Sequence, residues 1–321
     1  LPQPDLNLEV GSASHAVQTA EVMKRFEPAL DAHQPSCVLV VGDVNSTLAC
    51  TLVAVKKGVP VVHVEAGLRS YDRKMPEEIN RVLTDQVADR LYTTERSAAA
   101  NLQREGVAAE RIVFTGNVMI DSLLACREHA RPAAATLQAH GIDPALLNHP
   151  RGYGVVTLHR PSNVDDAATL RPLLEVLAEV AAQLPLVFAM HPRTRNNIER
   201  FGLGALLNPA HFAVLPPQGY LEMVGLMNGA TLVLTDSGGL QEETTALGVP
   251  CLTLRENTER PITVEQGTNT MVGRDVQAIR AGVAEILAGR GKRGRVPELW
   301  DGRAAERIAA DLWQWLAAGA R

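Results

Sequence analysis

Short, almost wholly apolar runs bounded by turn-forming residues recur along the chain, at 37–41 (Cys-Val-Leu-Val-Val), 59–64, 90–94, 111–115, 153–158, 185–190, 212–215, 231–235 and 249–254. Runs of this length without polar alternation are expected of strands covered on both faces, as in a parallel sheet. Between them, apolar residues recur at helical spacing over 44–57, 77–88, 96–105, 118–139, 166–182, 219–228 and 238–247, and further helices are predicted at about 14–32 and 302–319. Strand and helix in alternation predict an α/β protein of doubly wound, Rossmann-like domains.

The chain of 321 residues is long enough for two such domains. A Gly- and Pro-rich stretch at 141–152 follows a long helical pattern, which predicts an N-terminal domain over 1–148 and a second over 149–300 carrying five strands. The segment 301–321 is predicted as a helix crossing back to the first domain. The chain opens Leu-Pro-Gln-Pro and reaches its first strand only after a helix. The first domain is therefore predicted to lack its initial βα unit.

Composition narrows the classes of function. Hydrophobic residues at 46% and charged residues at 21% fit a globular chain, not a disordered or collagenous one. Lys and Arg number 31 against 36 Asp and Glu, a net charge of −5, and no basic run occurs; a nucleic-acid partner is not expected. No apolar stretch approaches the roughly 20 residues that span a bilayer, and the start does not resemble a signal peptide. Cys37, Cys50, Cys126 and Cys251 lack metal-site spacing. The expectation is a cytoplasmic protein with no metal, no cofactor and no membrane partner.

In open parallel sheets ligands gather at the carboxyl ends of strands, and these ends are where ionisable residues fall. They are Gly42-Asp43-Val44-Asn45, Glu65-Ala66-Gly67, His159-Arg160-Pro161, His191-Pro192-Arg193 and Asp236-Ser237-Gly238-Gly239. The last of these opens a helix, and free N–H groups with a positive dipole end favour phosphate there; equally, Ser237 is a simple N-cap. Glu243, one turn on, is either a ribose acceptor or a solvated carboxylate. Asp43 is read as a chemical group or a helix cap, and Glu65, beside a buried strand, as needing a partner or a task. Glu77 and Glu78 stand where helix dipoles favour acids. His159 is a candidate acid–base group or diphosphate ligand, whereas His63 reads as a packed core histidine. Arg160, Arg193, Arg195, Arg255 and Arg260 are candidates for diphosphate recognition.

Taken together, Gly-Asp-Val-Asn-Ser-Thr-Leu-Ala (42–49), His-Val-Glu-Ala-Gly-Leu-Arg-Ser (63–70), Met-Pro-Glu-Glu-Ile-Asn-Arg (75–81), Thr-Gly-Asn-Val-Met-Ile-Asp (115–121), Thr-Leu-His-Arg (157–160), Leu-Thr-Asp-Ser-Gly-Gly-Leu-Gln-Glu-Glu (234–243) and Asn-Thr-Glu-Arg-Pro (257–261) resemble the non-hydrolysing UDP-N-acetylglucosamine 2-epimerases, in family order. The resemblance implies two Rossmann-like domains facing a cleft (the GT-B arrangement), a homodimer, a UDP-sugar substrate and no NAD or metal. It implies Asp43, Glu65 and Glu77 as active-site carboxylates, with His159 beside the diphosphate and sugar. Ser237, Gly238 and Gly239 would hold phosphate, Arg260 the diphosphate, Glu243 the ribose, and Gln218 and Met223 the uracil region. The family's early Gly-Thr-Arg-Pro-Glu loop and Gln-His-Arg segment have no counterpart here, and Ser162 stands where the family has a glutamate.

The implied chemistry is reversible C2 epimerisation through elimination of UDP and re-addition to 2-acetamidoglucal. Alternatives are epimerisation of UDP-2,3-diacetamido-2,3-dideoxyglucuronate, whose extra carboxylate Arg69, Arg73 or Lys74 could meet, a hydrolysing epimerase, a GT-B glycosyltransferase, and an inactive nucleotide-sugar-binding fragment.

Overall fold

The computed structural model describes residues 3–319, so the Leu1-Pro2 opening and the last two positions of the 301–321 segment lie outside it. The chain forms two compact units, 1–118 with 303–321, and 119–302.

The first unit runs α1 (His15–His33), β1 (Val38–Val41), α2 (Asn45–Lys56), β2 (Val61–Ala66), α3 (Pro76–Val87), β3 (Arg90–Thr93), α4 (Arg96–Arg104) and β4 (Ile112–Phe114). Its strands are parallel in the order β1-β2-β3-β4. Ser14 caps α1, its hydroxyl accepting from the Val17 N–H, and Pro76 stands at the start of α3, where its missing N–H costs nothing. Val61, Val62, Ala66 and Leu91 are fully buried, as a covered sheet requires. The β2–β3 ladder slips by one residue between Val64 and Ala66, leaving Glu65 in a bulge. The C-terminal helix Ala304–Ala317 belongs to this unit: Ile308, Leu312 and Trp315 pack against Val62, Val64 and Tyr92. Asp311 accepts from Arg90 Nε (2.9 Å) and the Tyr92 hydroxyl (2.8 Å).

The second unit holds α5 (Val118–Arg127), α6 (Ala133–Ala139), β5 (Gly154–Thr157), α7 (Pro161–Val164), α8 (Ala167–Ala181), β6 (Leu186–Ala189), α9 (Pro192–Arg200), β7 (Phe212–Leu215), α10 (Tyr220–Asn228), β8 (Leu232–Thr235), α11 (Gly238–Leu247), β9 (Cys251–Thr253), α12 (Pro261–Glu265), β10 (Asn269–Met271) and α13 (Val276–Leu287). Six parallel strands lie in the order β10-β9-β8-β5-β6-β7. The chain thus works outward from β5 in one direction and restarts beside it at β8, so the strand order reverses between β5 and β8.

Three differences from the sequence reading have physical causes. The helical stretch predicted over 118–139 is two helices, because Pro132 cannot continue α5 and instead caps α6. A sixth strand, β10, is present; its Asn-Thr-Met sequence carries no apolar run. The unit boundary falls at Val118/Met119, not at 148. Ile120 and Leu123 pack with Val224, Ile262 and Trp300, and Leu137 with Val155 and Leu226, so 119–148 share the second core. The connection between α5 and α6 lies so close to α10 that a Cβ on Gly225 would sit 1.8 Å from the Arg131 carbonyl oxygen.

Candidate active site

In the first unit three motifs converge on the ends of β1 and β2. Asp43 follows β1, and its Oδ2 lies 2.7 Å from Arg81 Nη2, a guanidinium almost wholly buried on α3. Its main-chain carbonyl accepts from Asn80 Nδ2 (2.9 Å). Asp43 is therefore not the cap of α2; that position is Val44, which makes no side-chain capping bond.

Glu65 adopts φ +72°, a left-handed backbone that non-glycine residues rarely take. In the bulge this turns its side chain back toward β1, where Oε2 lies 3.6 Å from the point a Gly42 Cβ would occupy. Strain of this kind costs about 1–3 kcal/mol and gathers at functional sites.

Of the acidic pair on α3, Glu78 is buried and committed: it accepts from the Ser70 N–H and hydroxyl (both 2.9 Å) and the Tyr71 N–H (2.8 Å). Glu77 is only partly buried, one turn before the arginine that reaches Asp43. Asp43 and Glu65 thus adjoin through Gly42, and Glu77 stands in the first turn of α3, the helix that carries Arg81.

The second unit presents a pocket of roughly 210 Å³ lined by Thr157, His159, His191, Gln218, Met223, Ser237 and Leu240. It opens at the carboxyl ends of β5 and β8, where the strand order reverses and crevices form in such sheets. Asp236, fully buried, organises this end. It accepts from the backbone N–H groups of His159 (3.0 Å) and Arg160 (2.9 Å), from Asn163 Nδ2 (3.1 Å) and from His159 Nδ1 (2.9 Å). Burial alone would raise the Asp236 carboxyl, but these donors outweigh it and hold it below the usual range. The carboxylate also orients the His159 ring, leaving Nε2 without a protein partner among the described residues.

Ser237 stands at the N-cap of α11 but makes no side-chain capping bond, so the first turn keeps its outward N–H groups. Gly238 has no room for a side chain: a Cβ there would lie 2.5 Å from Glu259 Oε1. Gly239 is tight as well, with Met119 Cε 3.2 Å from its would-be Cβ.

The remaining candidates lie outside this pocket's lining. Arg160 gives its backbone N–H to Asp236, and its Nε is buried with no partner among the described residues. Arg260 is buried with Nε 3.0 Å from Glu242, and Arg255 pairs with Glu259 at 2.8 Å. Burial opposes ionisation of Glu259, but Arg260 and Arg255 bring it down to about 2. Glu243 is buried in α11 rather than solvated, and burial pushes its carboxyl up to about 7 against a lowering bond from Tyr220. Arg193 pairs at the surface with Asp165. Sequence reasoning placed Asp236 and His191 at ligand-gathering strand ends but gave neither a role of its own; the hydrogen bonds that Asp236 gathers are seen only in the fold.

A family model described as UDP-N-acetylglucosamine 2-epimerase matches residues 1–312. The chain belongs to this family. It is 40% identical over 318 residues to the UDP-N-acetylglucosamine 2-epimerase of Methanocaldococcus jannaschii, covering 97% of this chain and 84% of that protein. It is also 40% identical over 319 residues to the UDP-2,3-diacetamido-2,3-dideoxy-D-glucuronate 2-epimerase of Pseudomonas aeruginosa, with the same coverage. The crystal structure of the Methanocaldococcus jannaschii epimerase, in complex with UDP-GlcNAc and UDP, superposes with a TM-score of 0.86 at 39% identity, over 98% of this chain and 85% of that one. The family members of known structure share the two Rossmann-like units described above. Among the described residues no helix is long and apolar enough to cross a membrane.

Proposed function

We propose that this 2-epimerase interconverts UDP-N-acetylglucosamine and UDP-N-acetylmannosamine. The observation that carries the reading is the pair of acids at the ends of β1 and β2, Asp43 held by Arg81 and Glu65 re-aimed by its bulge. The C2 hydrogen has no neighbouring carbonyl to acidify it. Departure of UDP with the C1–O electron pair gives C1 oxocarbenium character, and a carboxylate then removes the C2 proton to leave 2-acetamidoglucal. UDP re-adds at C1 and a proton returns to the opposite face of C2. Inversion needs proton-handling groups on two faces, and Asp43, Glu65 and Glu77 supply them. The Ser237-Gly238-Gly239 turn, His159, Arg160 and Arg260 meet the diphosphate and stabilise the leaving group. Glu243 accepts from the ribose hydroxyls, and Gln218 and Met223 meet the uracil.

A second substrate deserves testing because the glucuronate epimerase is equally identical to this chain. Arg69 does not serve its extra carboxylate, being buried between Asp85 and Glu105, which leaves the exposed Arg73 and Lys74. Incubation with each UDP-sugar in deuterated water, followed by proton NMR, separates the readings. Epimerisation gives the inverted UDP-sugar with deuterium at C2; free sugar would mean a hydrolysing enzyme, and no exchange would sink the epimerase reading.

A cytoplasmic homodimer completes the proposal. The four cysteines are free thiols, as a reducing compartment would keep them. Ile79, Leu83 and Val87 form an exposed apolar row on α3 that a second copy would cover, and light scattering on the purified chain tests this.

A further inference from the structure

His63 lies on β2, two residues before Glu65, and is completely buried. Its Nδ1 is 2.7 Å from Asp85 Oδ1 on α3, and its Nε2 is 2.9 Å from the Gly42 carbonyl oxygen at the end of β1. Both partners are acceptors. A neutral imidazole has one N–H, and would set a ring lone pair against an oxygen at one of these contacts. The other oxygen of Asp85, Oδ2, accepts from the Gly67 N–H (3.1 Å) and from Arg69 Nη1 (2.7 Å).

Arg69 continues to Glu105, bonded through Nε (2.8 Å) and Nη2 (2.6 Å). With His63 charged, the chain His63–Asp85–Arg69–Glu105 alternates cation and anion, running from the buried ring out to Glu105 at the surface. Burial alone would push the ring's pKa down, yet the Asp85 bond and charge, the Gly42 carbonyl and the nearby Glu65 together place it above the usual histidine value.

The segments this network ties depart from extended backbone. Gly42 (φ +69°), Glu65 (φ +72°) and Gly67 (φ +81°) are all left-handed, and they carry the proposed acids Asp43 and Glu65. Gly67 has no slack, since a Cβ there would be 2.5 Å from the Ala98 carbonyl oxygen. The geometry points to His63 as a positioning residue: an imidazolium that pins the Gly42–Asp43 turn and, through Asp85, the Glu65–Gly67 bulge, so setting the spacing of the two carboxylates. This rests on the epimerase reading above for its catalytic consequence, though not for the charge state of the ring.

Two measurements on the full chain test it. With 15N-labelled histidine, the ring signals that vanish in His63→Gln should show both nitrogens protonated at pH 7.5 in the wild type; a singly protonated ring overturns the proposal whatever the substrate proves to be. In turnover assays, His63→Gln should lose on the order of 100-fold in kcat while KM and UDP affinity change by less than about threefold. Its acidic limb of kcat should move to higher pH, because a cation beside Glu65 and the Asp43 turn has gone. Loss of less than about tenfold, or an unmoved limb, overturns the positioning role. Should His63→Gln not fold, Asp85→Asn serves, with the same kinetic expectation and one ring proton lost. Absence of C2 exchange in the wild type would strike the epimerase reading instead, with the NMR result still deciding the ring.

Discussion

In the second unit the site lies at a reversal of strand order, between β5 and β8, where a parallel sheet leaves room by topology alone. The first unit has no such reversal among its described strands, which run β1-β2-β3-β4, and its acids are presented by a bulge, left-handed turns and ion pairs. The second offers N–H groups and glycines, features suited to holding a phosphate without changing it. The first sets Asp43 against a buried arginine and Glu65 on a left-handed bulge, an arrangement suited to moving protons. On the proposed reading, binding is inherited from the sheet, whereas the chemistry is built on top of it.

The sharpest way to break that division is Asp43→Asn or Glu65→Gln. Turnover should fall by roughly a thousandfold, with UDP affinity by calorimetry kept within about threefold. If affinity fell in step with turnover, the acids would be binding or folding residues and the contrast would be lost.

The next effect belongs to Glu243 and depends on pH. Its folded pKa of about 7 lies above the 4.5 of an ordinary glutamate. The native state therefore retains a proton that the unfolded chain releases as pH rises through about 4.5. Stability should fall from there to about pH 7 and then level, by roughly 3 kcal/mol in all. Glu243→Gln should flatten that decline in thermal unfolding; an unchanged pH profile would show that Glu243 ionises normally.

Gly238→Ala sharpens the comparison from the phosphate side. The added methyl meets Glu259, itself fixed by Arg255, so the start of α11 has to shift. UDP affinity should weaken roughly tenfold, one charge-assisted hydrogen bond's worth. The Asp43–Arg81 pair would be untouched, and loss of stability in the first unit would count against this.

A change of similar size, about 1–2 kcal/mol, is expected of Asp311→Asn. Burial raises this carboxyl, but Arg90 and Tyr92 outweigh that and hold it low. Its contribution is present above the ordinary aspartate range and is lost as pH falls through the lowered value. Hydrogen exchange should quicken in the C-terminal helix and not in α11.

Strands such as Val61–Val64 and Leu232–Leu234 were legible because runs buried on two faces leave a continuous apolar signature, and β1 carries the same signature although Leu39 and Val41 are exposed. β10 escaped because a three-residue Asn-Thr-Met strand has no such signature. The amphipathic faces of α5 and α6 were visible, but a sequence does not say which core a face meets, and these two meet the second. The same limit applies to the charges. Glu77 and Glu78 are adjacent and alike in sequence, and only the Ser70–Tyr71 turn closing on Glu78 separates a committed acid from a less occupied one. Arg255 and Arg260 read as loop arginines, yet both are buried with glutamates. His63 was rightly seen as packed; that both its partners are acceptors was not visible.

The C-terminal helix has a consequence for the order in which the protein is made. Because residues 119–302 sit in sequence between the two parts of the first unit, the second sheet has all its strands translated before Asp311 leaves the ribosome to meet Arg90 and Tyr92. Until the final helix arrives, Val62, Val64 and Tyr92 lack the cover of Ile308, Leu312 and Trp315.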